Sequence, residues 1–268
     1  MTERPSDLPD YSKPPIDEVA ISLQFSAIDR LIDDRIRDYW RLIRDEYPIG
    51  QVLPRIEAPI ESLEPTPVQL QIPLVGSPLN RMWLISESDD FLVQVQNTRF
   101  IQNWRRREDE YPRFERIKEP FWNNYLKFKS FLAGINLPPP VIQQVEVTYI
   151  NWIPDLTITR FFRPAANTAL TVGDQHRQPE EQNWTARYLI QHENELIERL
   201  YVQCLPAIRP QTPDIRGTQF GLTFRAARST GISENEADEL IDSSRIVIVN
   251  AFTELTTATA HESWGRFK

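Results

Sequence analysis

Three stretches of this chain alternate apolar and polar residues so regularly that they read as half-buried strands. In Glu18 to Phe25, Val19, Ile21, Leu23 and Phe25 face one way, and Glu18, Ala20, Ser22 and Gln24 face the other. Phe91 to Asn97 repeats the pattern, with Gln94 and Gln96 on the polar side. Val141 to Ile153 sets Val145, Val147 and Tyr149 against Gln144, Glu146 and Thr148. Strands of this kind need a sheet with one oily face under cover, and antiparallel sheets are the usual solution.

The cover is expected from helices. Ser26 is placed to cap a helix running to Glu46, with Ile28, Leu31, Ile32, Ile36, Tyr39, Trp40 and Ile43 at helical spacing. A second helix is expected from Pro112 to Asn136, with Phe114, Ile117, Phe121, Tyr125, Phe128, Leu132 and Ile135 on one stripe. With a hairpin of Arg81 to Ser86 and Phe91 to Asn97, the order becomes strand, helix, strand, strand, helix, strand. That is the split βαβ pattern of ferredoxin-like domains.

The expected fold class is therefore α+β, with a ferredoxin-like half over residues 15–155 behind a flexible leader, 1–14. Residues 156–183 read as a linker. Residues 184–268 read as a β-meander followed by a long helix. The meander strands are Trp184 to Gln191, Leu196 to Cys204 and Gln219 to Ala226, with His192-Glu193-Asn194 as a hairpin tip and Ile208 to Gly217 as a proline-bearing loop. Ser233 and Glu236 form a capping box for the last helix, expected to reach Ser263. Residues 49–80 carry prolines at 54, 59, 65, 67, 73 and 78, and read as a long connection with an extended strand at Val68 to Leu74 or an excursion over the surface.

Composition narrows the function classes. The formal charge of −8 and pI near 5.1 disfavour nucleic acid as a partner. A single cysteine, Cys204, excludes an intrachain disulfide framework and a thiolate metal cluster, and points to the cytoplasm. There is no apolar run long enough for a membrane helix, and the N-terminus lacks a signal-peptide core. With only 8 glycines there is neither a GxGxxG nor a Walker-type loop.

No catalytic or metal-binding constellation stands out. His176, His192 and His261 are scattered over a loop, a hairpin tip and a helix. Asp33-Asp34, Asp89-Asp90 and Glu180-Glu181 fit a helix surface, a turn and a loop. Cys204 closes an apolar strand face with Leu200 and Val202, as a small core residue does. Neither catalytic residue, metal nor cofactor is assigned.

Two features suggest contact with a ligand or partner. The polar strand faces place uncharged glutamines together, where they can donate and accept hydrogen bonds. Such a face also reads simply as one turned to water or to the second half of the chain. The run from Arg99 to Arg116 clusters arginines with Asn103 and Trp104, which suits an anion or a stacked base, although Glu108, Asp109 and Glu110 offset its charge. The candidate contact residues are Gln94, Gln96, Arg99, Asn103, Trp104, Arg105 and Arg113. Beyond Asn97 the apolar positions Phe100 and Trp104 shift parity, so a bulge or turn is expected there.

Several pieces resemble a full-length family, the sporadically distributed prokaryotic proteins of unknown function. They are Pro15-x-x-Glu18-Val19, Trp40, Tyr47-Pro48, Arg81-x-Trp83, Gln94-Val95-Gln96, Arg99-Phe100, Asn103-Trp104-Arg105, Tyr111-Pro112-Arg113 and Val147-x-Tyr149-Ile150-Asn151. The resemblance covers most of the chain and is strongest before residue 155. It implies a full-length family member and suggests an accessory or defence-related role, and it supplies no catalytic residues to carry over. The expected function is binding of a protein partner or a small ligand. The alternative is an enzyme or a nucleic-acid or phosphate-binding protein that uses Arg99–Arg116 as a clamp.

Overall fold

All the long strands join one nine-stranded sheet. The structure, a computed structural model, describes residues 5, 7–56, 60–63, 80–107, 110–165, 170–172, 175–177, 182–209 and 212–268. The strands are β1 (Ile16–Phe25), β2 (Ile49–Pro54), β3 (Asn80–Ile85), β4 (Phe91–Gln96), β5 (Arg99–Arg105), β6 (Ile142–Ile153), β7 (Leu170–Val172), β8 (Gln175–Arg177), β9 (Trp184–Glu193), β10 (Leu196–Arg209) and β11 (Thr212–Ala227). The large sheet runs β2-β3-β4-β5-β1-β6-β11-β10-β9, and every neighbouring pair is antiparallel. β7 and β8 form a separate small ribbon.

This corrects the ferredoxin-like expectation. The first half holds two further strands, β2 and β5, and β6 pairs directly with β11, so the sheet continues across residue 155. The physical reason lies at Asn97-Thr98. Gln96 pairs with Arg99, so the chain reverses there in a two-residue turn and continues as a new strand. The parity shift at Phe100 marks that reversal. β2 is mostly exposed, and its sequence, IGQVLP, has no period-two burial pattern to reveal it. The candidate strand Val68 to Leu74 lies outside the described residues.

The helices cover one face. α1 (Asp33–Ile43) lies on β3 and β4, α2 (Glu115–Gly134) on β5 and β1, and α3 (Glu234–Leu255) on β6 and β11. Beneath α1 and α2, Phe25, Tyr39, Phe100, Phe121, Tyr125 and Phe128 make an aromatic core. α1 begins seven residues after Ser26, and the intervening turn buries Ile28 and Leu31. Asp33 is spent on Asn80, accepting from its backbone N–H at 3.1 Å and its Nδ2 at 2.6 Å, which ties α1 to the start of β3.

Ser233 caps α3 by accepting from the Glu236 N–H at 3.2 Å, while the Glu236 carboxylate turns to Arg228. The last helix breaks at Thr256, and α4 (Ala258–Ser263) follows. The described part of the expected leader is docked: Leu8 and Tyr11 are buried, and Tyr11 bridges to Arg266 beside Gly265. Gly265 has φ +65°, and a Cβ there would meet the Ser12 hydroxyl. Asn194 and Glu195 both have positive φ and turn β9 into β10 as a two-residue hairpin. No helix among the described residues is long and apolar enough to cross a membrane.

Candidate functional site

The sheet face away from the helices carries most of the polar residues of the central strands. Cross-strand partners share a face, so the register assigns each residue. Val19 opposite Trp104 and Ile21 opposite Gln102 point to the helices, while Glu18 opposite Arg105, Ala20 opposite Asn103 and Gln24 opposite Arg99 point away. Gln94 and Gln96 share that second face with Arg99 and Asn103. Trp104 does not. It is buried under the helices, edge-on to Tyr111 at 5.5 Å between ring centres, and is a core residue. Arg113 lies off the sheet, before α2.

The polar face is covered. Ile56 and Glu61, from the proline-rich connection, lie across it. Gln96 donates from Nε2 to the Ile56 carbonyl and accepts from the Ile56 N–H, each at 3.0 Å, as a neighbouring strand would. Gln144 accepts from the Glu61 N–H at 2.9 Å. Two glutamine side chains thus satisfy backbone groups of an irregular segment.

Under this cover an arginine–carboxylate network spans five strands. Glu61 accepts from Arg199 at 2.5 Å, from the Tyr201 hydroxyl at 2.6 Å and from Arg225 at 3.1 Å. Arg225 also donates through Nε to Glu146 at 2.5 Å and lies over the Tyr201 ring. Glu146 is 3.6 Å from Arg99, which donates to Gln24. Burial pushes the Glu61 carboxyl up, but its hydrogen bonds from Tyr201, Arg199 and Arg225 outweigh that and hold it below the usual range. Arg99, only 3% exposed, is pushed down by burial against the opposing pull of Glu146.

A second network lies toward β3. Gln94 accepts at Oε1 from Arg81 and from the Trp83 indole, both at 2.9 Å, and donates to Asn103 at 2.7 Å. Asn103 donates to Glu18. Arg81 and Arg105 both lie over the Trp83 ring, at 5.4 and 5.5 Å. Arg105 pairs with Asp89, which also takes Arg107. Arg81 has no carboxylate partner among the described residues; its polar contact is the neutral Gln94. Burial and the charge of Arg99 both lower its affinity for its proton. Across the two networks the described cations Arg81, Arg99, Arg105, Arg107, Arg199 and Arg225 outnumber the described carboxylates Glu18, Glu61, Asp89 and Glu146, in a chain of formal charge −8.

Cys204 is fully buried, and burial pushes its thiol up to about 12. His192 is exposed at the β9–β10 hairpin. His261 is buried, with Nε2 2.8 Å from the Thr256 hydroxyl. The side chain of His176 and residues 108–109 and 178–181 lie outside the described residues. No group of three or more His, Cys, Asp and Glu among the described residues is placed to hold a metal ion.

No protein-family model, curated protein or solved structure matches the chain. Of the sequence candidates, the structure gathers Gln94, Gln96, Arg99, Asn103 and Arg105 on one face and removes Trp104 and Arg113. Sequence reading missed Arg81, Trp83, Arg199, Tyr201, Arg225 and Glu61. Arg199 and Tyr201 alternate with Leu200 and Val202, and Arg225 with Phe224 and Ala226, so the strand pattern already placed them opposite the core. Nothing in the proline-rich stretch marks Glu61.

Proposed function

We propose that this chain is a binding protein whose polar sheet face receives an anionic group, a phosphate or carboxylate, of a small ligand. The supporting observation is Arg81, whose charge is opposed by that of Arg99 and whose polar partner among the described residues is the neutral Gln94, with no carboxylate. Withdrawing guanidinium groups from water without full neutralisation is costly, and a bound anion would repay that cost. Arginine suits the role because its fork matches the geometry of both oxyanions. The buried, unreactive Cys204 and the absence of a long apolar helix among the described residues support a cytoplasmic location.

The test is thermal unfolding with sodium pyrophosphate against sodium chloride at equal ionic strength. Pyrophosphate is expected to raise Tm saturably in the wild type and not in Arg99→Gln. Equal effects of the two salts on the wild type would refute the reading.

A further inference from the structure

A cavity lies on the other, helix-covered side of the sheet, between β6, β11, α3 and the docked segment around Tyr11. Its volume is about 60 Å³. One water needs about 15 Å³ by the same measure, so a few waters or one small organic molecule fit. Leu222, Ile248 and Phe252 make its walls apolar.

Its polar end is formed by Tyr111 and Tyr149, whose hydroxyl oxygens are 3.3 Å apart. Two hydroxyls that share one hydrogen bond spend one proton and leave the other without an acceptor. The neighbouring charges are already matched. Arg245 pairs with Glu115 at 2.5 Å, and Arg113 at the rim pairs with Asp10 at 2.6 Å. Both tyrosines stay neutral: burial first of all pushes Tyr111 up to about 12 and Tyr149 well above its ordinary value. Among the described residues, the end of the cavity thus offers one unspent O–H donor and no unpaired cation. Arg113 holds the rim with φ +81°, a conformation uncommon for a non-glycine residue.

The geometry points to a second binding site, for a small apolar molecule carrying one neutral acceptor oxygen, such as a ketone, ester or amide, anchored on the Tyr111–Tyr149 hydroxyl pair. A carboxylate is disfavoured because its charge would be desolvated beside cations that already have partners. The walls require an aliphatic or aromatic body of only a few heavy atoms. The site is independent of the anion reading, since it lies on the opposite side of the sheet.

The probe is cyclohexanone, titrated into the full chain while the ring resonances of 13C-labelled tyrosine are followed by NMR. Methylcyclohexane and cyclohexanecarboxylate serve as controls. Saturable shifts at Tyr111 and Tyr149 with the ketone are expected, with affinity roughly fivefold lower in Tyr149→Phe, the effect of losing one neutral hydrogen bond. Val249→Phe, which narrows the cavity from α3, should abolish binding while leaving the remaining tyrosine shifts in place. Absence of a saturable shift with cyclohexanone would overturn the proposal. So would equal binding of methylcyclohexane, or tighter binding of the carboxylate.

Discussion

The Glu61 carboxylate lies 2.5 Å from the Arg199 guanidinium although 138 residues separate them in the chain. It ties an irregular segment to β10 and, through Arg225, to β11. Glu61→Ala is expected to cost about 3 kcal/mol, because it leaves two guanidinium groups without their shared carboxylate in a covered site. The same change should increase pyrophosphate affinity, since Arg199 loses its carboxylate while Arg225 keeps only Glu146. Denaturant titration with and without pyrophosphate would show both effects; a variant as stable as the wild type would mean the pair contributes nothing.

Trp104 supplies a control for face assignment. Trp104→Ala should cost about 3–5 kcal/mol, the usual cost of truncating a large buried aromatic residue. Trp104→Phe, which keeps most of the core filled, should leave pyrophosphate binding unchanged. If Trp104→Phe weakened anion binding selectively, the residue would have to reach the polar face, against its register opposite Val19.

Glu18 should behave in the opposite sense to Glu61. Burial raises its carboxyl above the ordinary glutamate value of 4.5, more than Asn103 and Arg105 lower it. Below about 4.5 both folded and unfolded chains carry the proton, and the group has no effect. As pH rises past that value the unfolded chain releases its proton first, so folding loses stability until the folded carboxyl ionises too. Glu18→Gln, which keeps an acceptor for Asn103, is therefore expected to raise Tm at neutral pH and to lose that advantage in acid. A lower Tm at neutral pH would contradict the assignment.

His261 makes the fold sensitive to mild acid. Burial, then the charges of Arg266 and Arg163, lower its pKa below 6.5. As pH falls through about 6.5 the unfolded chain takes up a proton that the folded chain resists, so stability decreases. Denaturant midpoints should fall between about pH 7.5 and pH 5.5 in the wild type and fall less in His261→Gln. Equal falls in both would place the sensitivity elsewhere.

Much of the architecture was legible because burial on one face imposes a period of two. β1, β4 and β6 follow that pattern, and α2 follows the helical one. β5 was lost because the two-residue turn at Asn97-Thr98 contains no glycine and looks like an irregularity within one strand. The ferredoxin-like topology failed with it, since adding β2 and β5 and joining β6 to β11 makes one wide sheet. The candidate site was half legible: alternation located Gln94 and Gln96, and the arginine-rich run from Arg99 to Arg116 supplied Arg99, Asn103 and Arg105. It could not show that Glu61 crosses the face, because that contact joins residues far apart and depends on how the connection is laid down. Trp104 was grouped with its sequence neighbours, although adjacent strand residues point to opposite faces.

The most direct test of the account is isothermal titration of pyrophosphate into the wild type, Arg99→Gln and Arg81→Gln at low and moderate salt. Saturable binding to the wild type that weakens as salt screens the arginines is expected, with a loss of at least tenfold in each variant. Absence of binding to the wild type at low salt, or equal binding by all three proteins, would contradict it.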